Sequence, residues 1–341
     1  MMKAIQAAVV GCGAIHTLHV EAIQSNPACQ LRAIVETDPV KGQALAERYG
    51  CRYYADYCEM LLDNEIDVVH ICTPHAAHKE MITKALIAGK HVFTEKPVAL
   101  NPAEVKDIKN TLAITTSQLG VCYQNRLNPS SQKIKALLEE NHYGKILSIK
   151  AVLTWSRSLD YYAQSPWRGS WASEGGSLLI NQAIHTLDLM QWFAGGVDAI
   201  KGVVESSFLS HATQAEDTAM ANMELANGAR GIFYATNCHT TDSPLLLEIH
   251  CENGLLQLHH NNLWCISDEG KELLASDESP NAAQKCYWGS SHQLAINNFY
   301  HSLSETNARN YVDIHQAEIS LRMVEAIYQS SITRNWIEIS E

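Results

Sequence analysis

Short apolar runs alternate with amphipathic segments over the first third of the chain. The runs predict buried strands, and the segments between them have the period of helices. Strands that alternate with helices of this length indicate a parallel, doubly wound α/β sheet. We expect residues 1–123 to form this domain, with strands at Ala4–Val10, Leu31–Val35, Asp67–Cys72, His91–Thr94 and Gln118–Cys122.

The rest of the chain has a different pattern, in which strands follow one another from Ile200 to Asp268. Asn227-Gly228 and Asn253-Gly254 are hairpin signals within that region. We therefore expect residues 124–341 to form an α+β domain around a large, mainly antiparallel sheet. Its other predicted elements are a strand at Ile146–Trp155, helices at Ser177–Ala194, Ser291–Glu305 and Ile314–Ser331, and a last strand at Trp336–Ile339.

Composition narrows the class of protein. The 341 residues are 46% hydrophobic and carry a formal net charge of −12, which argues against a general nucleic-acid or anionic-membrane surface. The apolar start is explained better by a first strand than by a signal peptide. The ten cysteines contain no C-x-x-C pair, as expected for reduced thiols. We expect a cytoplasmic protein.

A glycine-rich turn, Gly11-Cys12-Gly13-Ala14-Ile15-His16, lies between the first predicted strand and the first helix. This context is typical of a dinucleotide fingerprint, in which glycines let the backbone approach the pyrophosphate. His16 stands where a third small residue is usual, so the motif alone is weak. Glu36 ends the second strand, where a carboxylate accepts ribose hydroxyls and repels a 2′-phosphate. NAD is favoured over NADP.

The turn Thr94-Glu95-Lys96-Pro97 follows a buried strand and ends in a proline that stops it. In open α/β sheets the ligand crevice lies outside the carboxyl ends of the strands. The Glu95–Lys96 pair is therefore a site candidate. A surface ion pair of little energetic value is the alternative.

The predicted helix Ser177–Ala194 places Asn181, His185 and Asp188 on one stripe, at positions i, i+4 and i+7. Gly175 and Gly176 precede the helix and allow close approach to its N-terminal end. A titratable histidine on a core-forming helix is costly unless it is satisfied or used. A buried structural histidine is the alternative reading.

These motifs resemble the glucose–fructose oxidoreductase/inositol dehydrogenase (Gfo/Idh/MocA) oxidoreductases over nearly the whole chain. The sequence around Lys96 is the most specific element, and the motif ending at His185 is the second. The matching segments are Val9–Gly13, Cys72-Thr73-Pro74-His75 with His78, Ala88–Val92 with Glu95-Lys96-Pro97, Tyr123-Gln124-Asn125-Arg126, Trp167-Arg168-Gly169 and Gly175–His185.

The resemblance implies catalytic roles for Lys96 and His185, with Asn181 as a positioning group. An acid commonly occupies the family position of Asn181, and an amide cannot carry a proton. The implied cofactor-binding residues are Gly11, Gly13, Ala14, Ile15, Glu36, Thr73, Pro74, His75, His78, Glu95, Lys96, Asn125, Trp167 and Arg168. The implied substrate-binding residues are Lys96, Arg126, Asn181 and His185. Trp155 and Tyr162 are further substrate-binding candidates, because aromatic rings stack on sugars; a place in the core is the alternative for both.

The resulting expectation is reversible NAD-dependent oxidation of a secondary alcohol on a sugar, sugar derivative or cyclitol. His185 would take the hydroxyl proton and Lys96 would stabilise the alkoxide, or the two roles would be exchanged. A catalytically silent, NAD-binding, sugar-responsive regulator is the first alternative. A metal hydrolase that uses His75, His78, His185, Asp188 and His239 is the second, although we expect no metal. A homodimer or homotetramer is expected, because the antiparallel sheet needs its second face covered.

Overall fold

The computed structural model describes residues 4–277, 291–304 and 310–339. The chain divides into two compact units, Met1–Tyr123 with Ser291–Glu318, and Gln124–Ser290 with Ile319–Glu341. No helix in the described ranges is long and apolar enough to cross a bilayer.

The first unit is built on a parallel sheet of six strands in the order β3-β2-β1-β4-β5-β6. Helices connect these strands, so the predicted α/β architecture is confirmed. The strands are β1 (Ile5–Val10), β2 (Cys29–Val35), β3 (Arg52–Tyr54), β4 (Val68–Ile71), β5 (His91–Thr94) and β6 (Leu119–Val121). The helices are α1 (His16–Ser25), α2 (Pro39–Tyr49), α3 (Tyr57–Leu61), α4 (His78–Ile87) and α5 (Pro102–Ala113).

Local sequence signals fix several of these boundaries. Asp38 caps α2, because its side chain accepts hydrogen bonds from the backbone of Val40 and Lys41. Gly50 ends the same helix in the left-handed conformation, with a φ of +66°. Asn101 caps α5 in the same way as Asp38.

The second unit contains a nine-stranded sheet in the order β14-β13-β12-β11-β7-β10-β9-β8-β15. Its strands are β7 (Ile146–Thr154), β8 (Val197–Glu205), β9 (Thr218–Leu225), β10 (Arg230–Thr236), β11 (Leu246–Cys251), β12 (Gly254–His259), β13 (Asn262–Ser267), β14 (Gly270–Ser276) and β15 (Ile337–Glu338). Both predicted hairpins are present, β9–β10 and β11–β12. The β7–β10 pair is parallel, so the sheet is mixed but mainly antiparallel.

Helices α6 (Pro129–Glu139), α7 (Leu159–Ala163) and α8 (Ile184–Ala194) belong to the second unit. The predicted single helix Ser177–Ala194 is wrong in its first part. Leu178–Ala183 forms a wide π-helical turn that leads into α8. Such turns widen the side-chain spacing and are frequent at functional sites. Periodicity over so short a segment does not distinguish the two kinds of helix.

Two further helices complete the fold, α9 (His292–Ser304) and α10 (Ile314–Thr333). The prediction that residues 291–318 belong to the second domain is wrong. Helix α9 packs against α1, where Asn26 donates to Asn297 and Gln293 donates to Ser25. The amphipathic pattern predicts a helix but does not specify the surface that it covers. Glu305, the predicted last residue of this helix, lies outside the described residues.

Candidate active site

The glycine turn after β1 lies against the loop after β4. Gly11 has a φ of +84°, and a Cβ on it would lie 2.8 Å from Thr73 Cγ2 and 2.9 Å from the carbonyl oxygen of Cys72. Only glycine is accommodated there without strain. Apart from Gly13 and its chain neighbours, no atom of the described residues lies within 4 Å of a Cβ built on Gly13. Gly13 and Ala14 are exposed, and Ile15 is half-buried.

The N-terminus of α1 is left open by its N-cap residue, Ile15, whose side chain makes no capping hydrogen bond. Its backbone N–H groups, the exposed glycine turn and the helix dipole fit a pyrophosphate. His16, in place of the third small residue, turns inward and contacts the Gly13 carbonyl and the Tyr49 hydroxyl. The residues present therefore fit a dinucleotide despite the incomplete motif.

Glu36 lies at the end of β2, as predicted. One carboxylate oxygen accepts from Thr37 Oγ1 and from the backbone N–H of Asp38. The other lies 2.7 Å from Lys41 Nζ. Burial opposes ionisation, but these hydrogen bonds and the Lys41 charge lower the pKa of Glu36. Lys41 was missed by sequence reasoning, because it lies two residues beyond the segment Glu36–Pro39, in which a basic ligand for a 2′-phosphate is expected.

His78 connects the loop after β4 with the turn after β5. Its Nδ1 lies 2.7 Å from the carbonyl oxygen of Pro97, and its Nε2 lies 2.9 Å from that of Thr73. Burial lowers the pKa of His78, and the two carbonyls oppose that shift. His75 is buried as well, whereas Thr73 is half-buried and Pro74 exposed. His78 thus braces the backbone immediately after Lys96.

Glu95 is buried and Lys96 is half-buried at the carboxyl end of β5. His19 Nε2 lies 3.1 Å from a Glu95 carboxylate oxygen. Burial would raise the pKa of Glu95, but the hydrogen bond with His19 and the charges around it hold the pKa well below its usual range. The sequence pattern pointed to the Glu95–Lys96 pair and gave no indication of His19.

The second unit contains a cavity of about 240 Å³. Three predicted site residues line it, Asn125, Trp155 and His185. The carbonyl oxygen Oδ1 of Asn125 is buried and has no hydrogen-bond partner among the described residues. The other residues around the cavity are Asn128, Ser131, Leu153, Gln182, Thr186, Leu189, Asp242, Ser243, Pro244, Leu245, Leu258, His260, Asn261 and Asp277.

Asn181 does not line that cavity; its amide contacts a buried acid. Asn181 Nδ2 donates to Glu174 Oε1, and the backbone N–H of Gly169 donates to Glu174 Oε2. Glu174 is 1% exposed. It was missed by sequence reasoning, although an acid directly before Gly175-Gly176 was a usable signal. The structure thus supplies a carboxylate beside the position where an acid is usual in the family that the sequence resembles.

Arg126 and Asp188 form a buried bidentate ion pair. Arg126 Nε lies 2.7 Å from Asp188 Oδ2, and Arg126 Nη2 lies 2.6 Å from Oδ1. Ser320 also donates to Asp188. Arg126 does not line the cavity, so its predicted contact with substrate stays a prediction.

Three further predicted residues, Tyr162, Trp167 and Arg168, do not line the cavity. Tyr162 is buried, and its hydroxyl contacts Ser177 Oγ and Asn237 Nδ2. Arg168 lies over the ring of Tyr161, 4.1 Å from its centroid, and beside that of Trp167. The predicted contacts of Trp167 and Arg168 with the cofactor stay predictions.

The metal-hydrolase alternative gains no support. Among the described residues, one group of metal-capable side chains lies close together, Glu95, Cys122 and His292, whose ligand atoms are within 4.8 Å of one another. None of these three belongs to the set predicted for a hydrolase. In that set Asp188 is paired with Arg126.

Two family profiles match the chain. Residues 5–123 match the oxidoreductase family with an NAD-binding Rossmann fold, and residues 131–257 match the GFO/IDH/MocA C-terminal domain. The first unit is therefore an NAD-binding domain.

Curated relatives span most of the chain. The scyllo-inositol 2-dehydrogenase (NAD⁺) of Bacillus subtilis is 25% identical and covers 80% of each chain. The levoglucosan dehydrogenase of Pseudarthrobacter phenanthrenivorans is 23% identical over 92% of this chain and 91% of the relative.

Among solved structures, the WlbA dehydrogenase of Bordetella pertussis in complex with NADH and UDP-GlcNAcA is 27% identical, with a TM-score of 0.86. The alignment covers 99% of this chain and 100% of that chain. The two matched profiles cover both domains of the architecture, and the chain belongs to the Gfo/Idh/MocA oxidoreductase family.

Proposed function

We propose that the protein is an NAD-dependent dehydrogenase that interconverts a secondary alcohol and a ketone on a sugar, sugar derivative or cyclitol. The observation that carries this proposal is the cavity of about 240 Å³, where His185 lies among amides, hydroxyls and two carboxylates. Relatives named as inositol and levoglucosan dehydrogenases support the same reaction class. They do not favour the regulator alternative.

The cavity indicates the substrate class by its size and lining. Pockets for drug-sized ligands have volumes of roughly 300–1,000 Å³, so this one suits a single ring. Asn125, Gln182 and Asp242 offer polar groups for ring hydroxyls, and Trp155 offers an apolar face. A polyhydroxylated ring presents both kinds of surface.

In the proposed mechanism, one side chain accepts the substrate proton and another stabilises the negative charge that develops on the oxygen. His185 accepts the hydroxyl proton of the substrate as general base. Lys96 donates a hydrogen bond to the same oxygen and stabilises the developing alkoxide. Bound NAD supplies the chemistry of hydride acceptance. Asn181, fixed by Glu174, maintains the polar surroundings of His185.

We propose that Gly11, Gly13, Ala14, Ile15 and Glu36 hold the adenosine and pyrophosphate part of NAD. The open α1 N-terminus supports the pyrophosphate site, and the ionised Glu36 supports ribose recognition. The other predicted cofactor ligands are retained in this proposal, namely Thr73, Pro74, His75, His78, Glu95, Lys96, Asn125, Trp167 and Arg168.

The test compares Lys96→Met and His185→Ala with the wild-type protein on a panel of cyclitols, aldoses, anhydrosugars and keto-sugars. NADH absorbance follows turnover, and NADH fluorescence measures cofactor affinity. We expect each substitution to lower kcat by at least about 100-fold, the range of general acid–base catalysis, while NADH still binds. His250→Ala, on an exposed position of β11, is the matched control. Full activity in either site variant contradicts the mechanism, and tight NAD binding without wild-type turnover favours a regulator.

We further propose that the protein is a cytoplasmic homo-oligomer. Met220 and Ile232 are exposed on neighbouring strands of the large sheet, at 42% and 53%. Burial of these side chains against a second copy removes apolar surface from water. Light scattering should give a dimer or tetramer, and Ile232→Glu should lower the mass.

A further inference from the structure

A continuous row of buried polar side chains crosses the interior of the first unit and ends at Glu95. The Tyr300 hydroxyl lies 2.8 Å from His70 Nε2, and His70 Nδ1 lies 2.8 Å from His19 Nδ1. His19 Nε2 in turn lies 3.1 Å from Glu95. His19 and His70 are both 0% exposed. We call these four residues the buried relay.

Within the buried relay, every hydrogen bond is donated in the same direction, from Tyr300 toward Glu95. The Glu95 carboxylate only accepts, so His19 Nε2 carries a proton. In a neutral ring His19 Nδ1 then accepts, and His70 Nδ1 donates to it. His70 Nε2 consequently accepts from the Tyr300 hydroxyl. Burial lowers the pKa of His70 and raises that of Tyr300, so both stay neutral in this arrangement.

The surroundings of Glu95 contain several titratable groups. His292 from α9, Cys72 after β4 and Cys122 after β6 interact with it or lie close to it. His78 of α4 interacts electrostatically with Glu95, and Lys96 follows Glu95 in the chain. Burial lowers the pKa of His292 to about 4, so at neutral pH this imidazole is uncharged. Lys96 directly follows Glu95, and its charge interacts with the Glu95 carboxylate.

We propose that Glu95 and His19 are positioning residues for Lys96. The buried relay holds Glu95 as a carboxylate, and this fixed negative charge keeps the neighbouring Lys96 amine protonated and oriented. The inference rests on the proposed function and deepens it, because it assigns the roles that the sequence left open. A protonated Lys96 donates a hydrogen bond to the substrate oxygen, and the base is then His185.

The first test measures the protonation of Lys96 directly and needs no substrate. Wild-type protein is labelled with trace acetic anhydride between pH 6 and 11, and peptide mass spectrometry follows acetylation of Lys96. The exposed Lys145 serves as the internal reference. Only a free amine reacts, so the pH dependence reports the amine's ionisation. In Glu95→Gln, the Lys96 amine should lose its proton at a pH about one unit or more below that of the wild-type protein. Labelling of Lys96 at pH 8 should then be roughly tenfold faster than in the wild type.

Two substitutions of His19 separate positioning from general damage. Gln places an amide near the position of Nε2 and retains donation to Glu95, whereas Asn places its amide near Nδ1 and loses it. His19→Asn should therefore shift Lys96 labelling in the direction of Glu95→Gln, and His19→Gln should restore it toward wild type. His91→Asn is the matched control. His91 starts the strand that Glu95 follows, and its Nδ1 accepts from the backbone N–H of Gln118.

The second test uses turnover on whichever sugar or cyclitol proves active. In Glu95→Gln and His19→Asn the basic limb of the kcat/KM profile should move to lower pH, and in His91→Asn it should stay at the wild-type position. An unchanged labelling profile of Lys96 in Glu95→Gln overturns the proposal, and so does an equal shift in His91→Asn. If the wild-type enzyme turns over no substrate, the proposed reaction fails while the labelling result still decides the charge of Lys96.

Discussion

The contact between Glu174 and Asn181 allows a reciprocal exchange of acid and amide. Asn181 Nδ2 and the backbone N–H of Gly169 each donate to one oxygen of Glu174. In Glu174→Gln the glutamine side chain has one acceptor oxygen for the two N–H donors of Asn181 and Gly169. In Asn181→Asp two carboxylates face each other. The double variant restores complementarity, because the introduced glutamine amide accepts from Gly169 and donates to the new carboxylate.

The magnitudes follow from the burial of this contact. Glu174 is 1% exposed, so a mismatched hydrogen bond is not replaced by water. A lost hydrogen bond to a charged group costs about 1.5–3 kcal/mol, and we expect Glu174→Gln to lose that much stability. Asn181→Asp should lose a similar amount at neutral pH. The double variant should recover about 2 kcal/mol relative to the sum of the single effects.

The pH dependence provides an independent check. In Asn181→Asp, repulsion raises the pKa of the carboxyl pair in the folded state above the unfolded value. The destabilisation is therefore absent below about pH 4 and grows as pH rises through the raised pKa. Glu174→Gln should show no such rise.

Urea unfolding followed by tryptophan fluorescence at pH 5 and pH 7 measures these differences, and NADH absorbance measures turnover. The double variant carries an acid four residues before His185, so its kcat should exceed that of Glu174→Gln. Additive effects of the two single substitutions, within about 0.5 kcal/mol, refute the reasoning.

Three further predictions concern cofactor choice, pH and stability. Replacing Glu36 by Ser should shift preference toward NADP, because it frees Lys41 for a 2′-phosphate; the ratio of kcat/KM for the two cofactors measures this, and an unchanged ratio counts against it. Burial raises the pKa of Glu216 from 4.5 to about 7, so stability should fall by up to roughly 3 kcal/mol as pH rises from 4.5 to 7. Thermal unfolding of Glu216→Gln should lack that slope. Asp188→Ala should destabilise the second unit by about 3–5 kcal/mol, because it leaves Arg126 buried without its counter-ion; Asp188→Ala with Arg126→Met should recover most of the loss in urea unfolding.

The sequence determined much of the first unit. The predicted order of strands and helices is confirmed, and the cap at Asp38 and the stop at Gly50 follow from local rules. These features depend on side chains that act on their own backbone within a few residues. The glycine turn and the Glu95–Lys96 pair were recognisable for the same reason, since each motif is contiguous in the chain.

The partners of those motifs depend on the tertiary structure alone. His19 meets Glu95 across 76 residues, and His70 meets Tyr300 across 230. The pairing of Arg126 with Asp188 spans 62 residues. No periodicity encodes such distances, because each contact depends on how whole strands and helices pack.

The placement of α9 shows the same limit. Its amphipathic pattern predicts a helix with one buried face, and α1 supplies the surface that covers it. The sequence by itself therefore determined most of the elements, the nucleotide turn and the family to which they belong. The tertiary structure decided which buried polar groups surround Glu95 and Asn181, because a polar side chain in the core is stable only where folding brings it a partner.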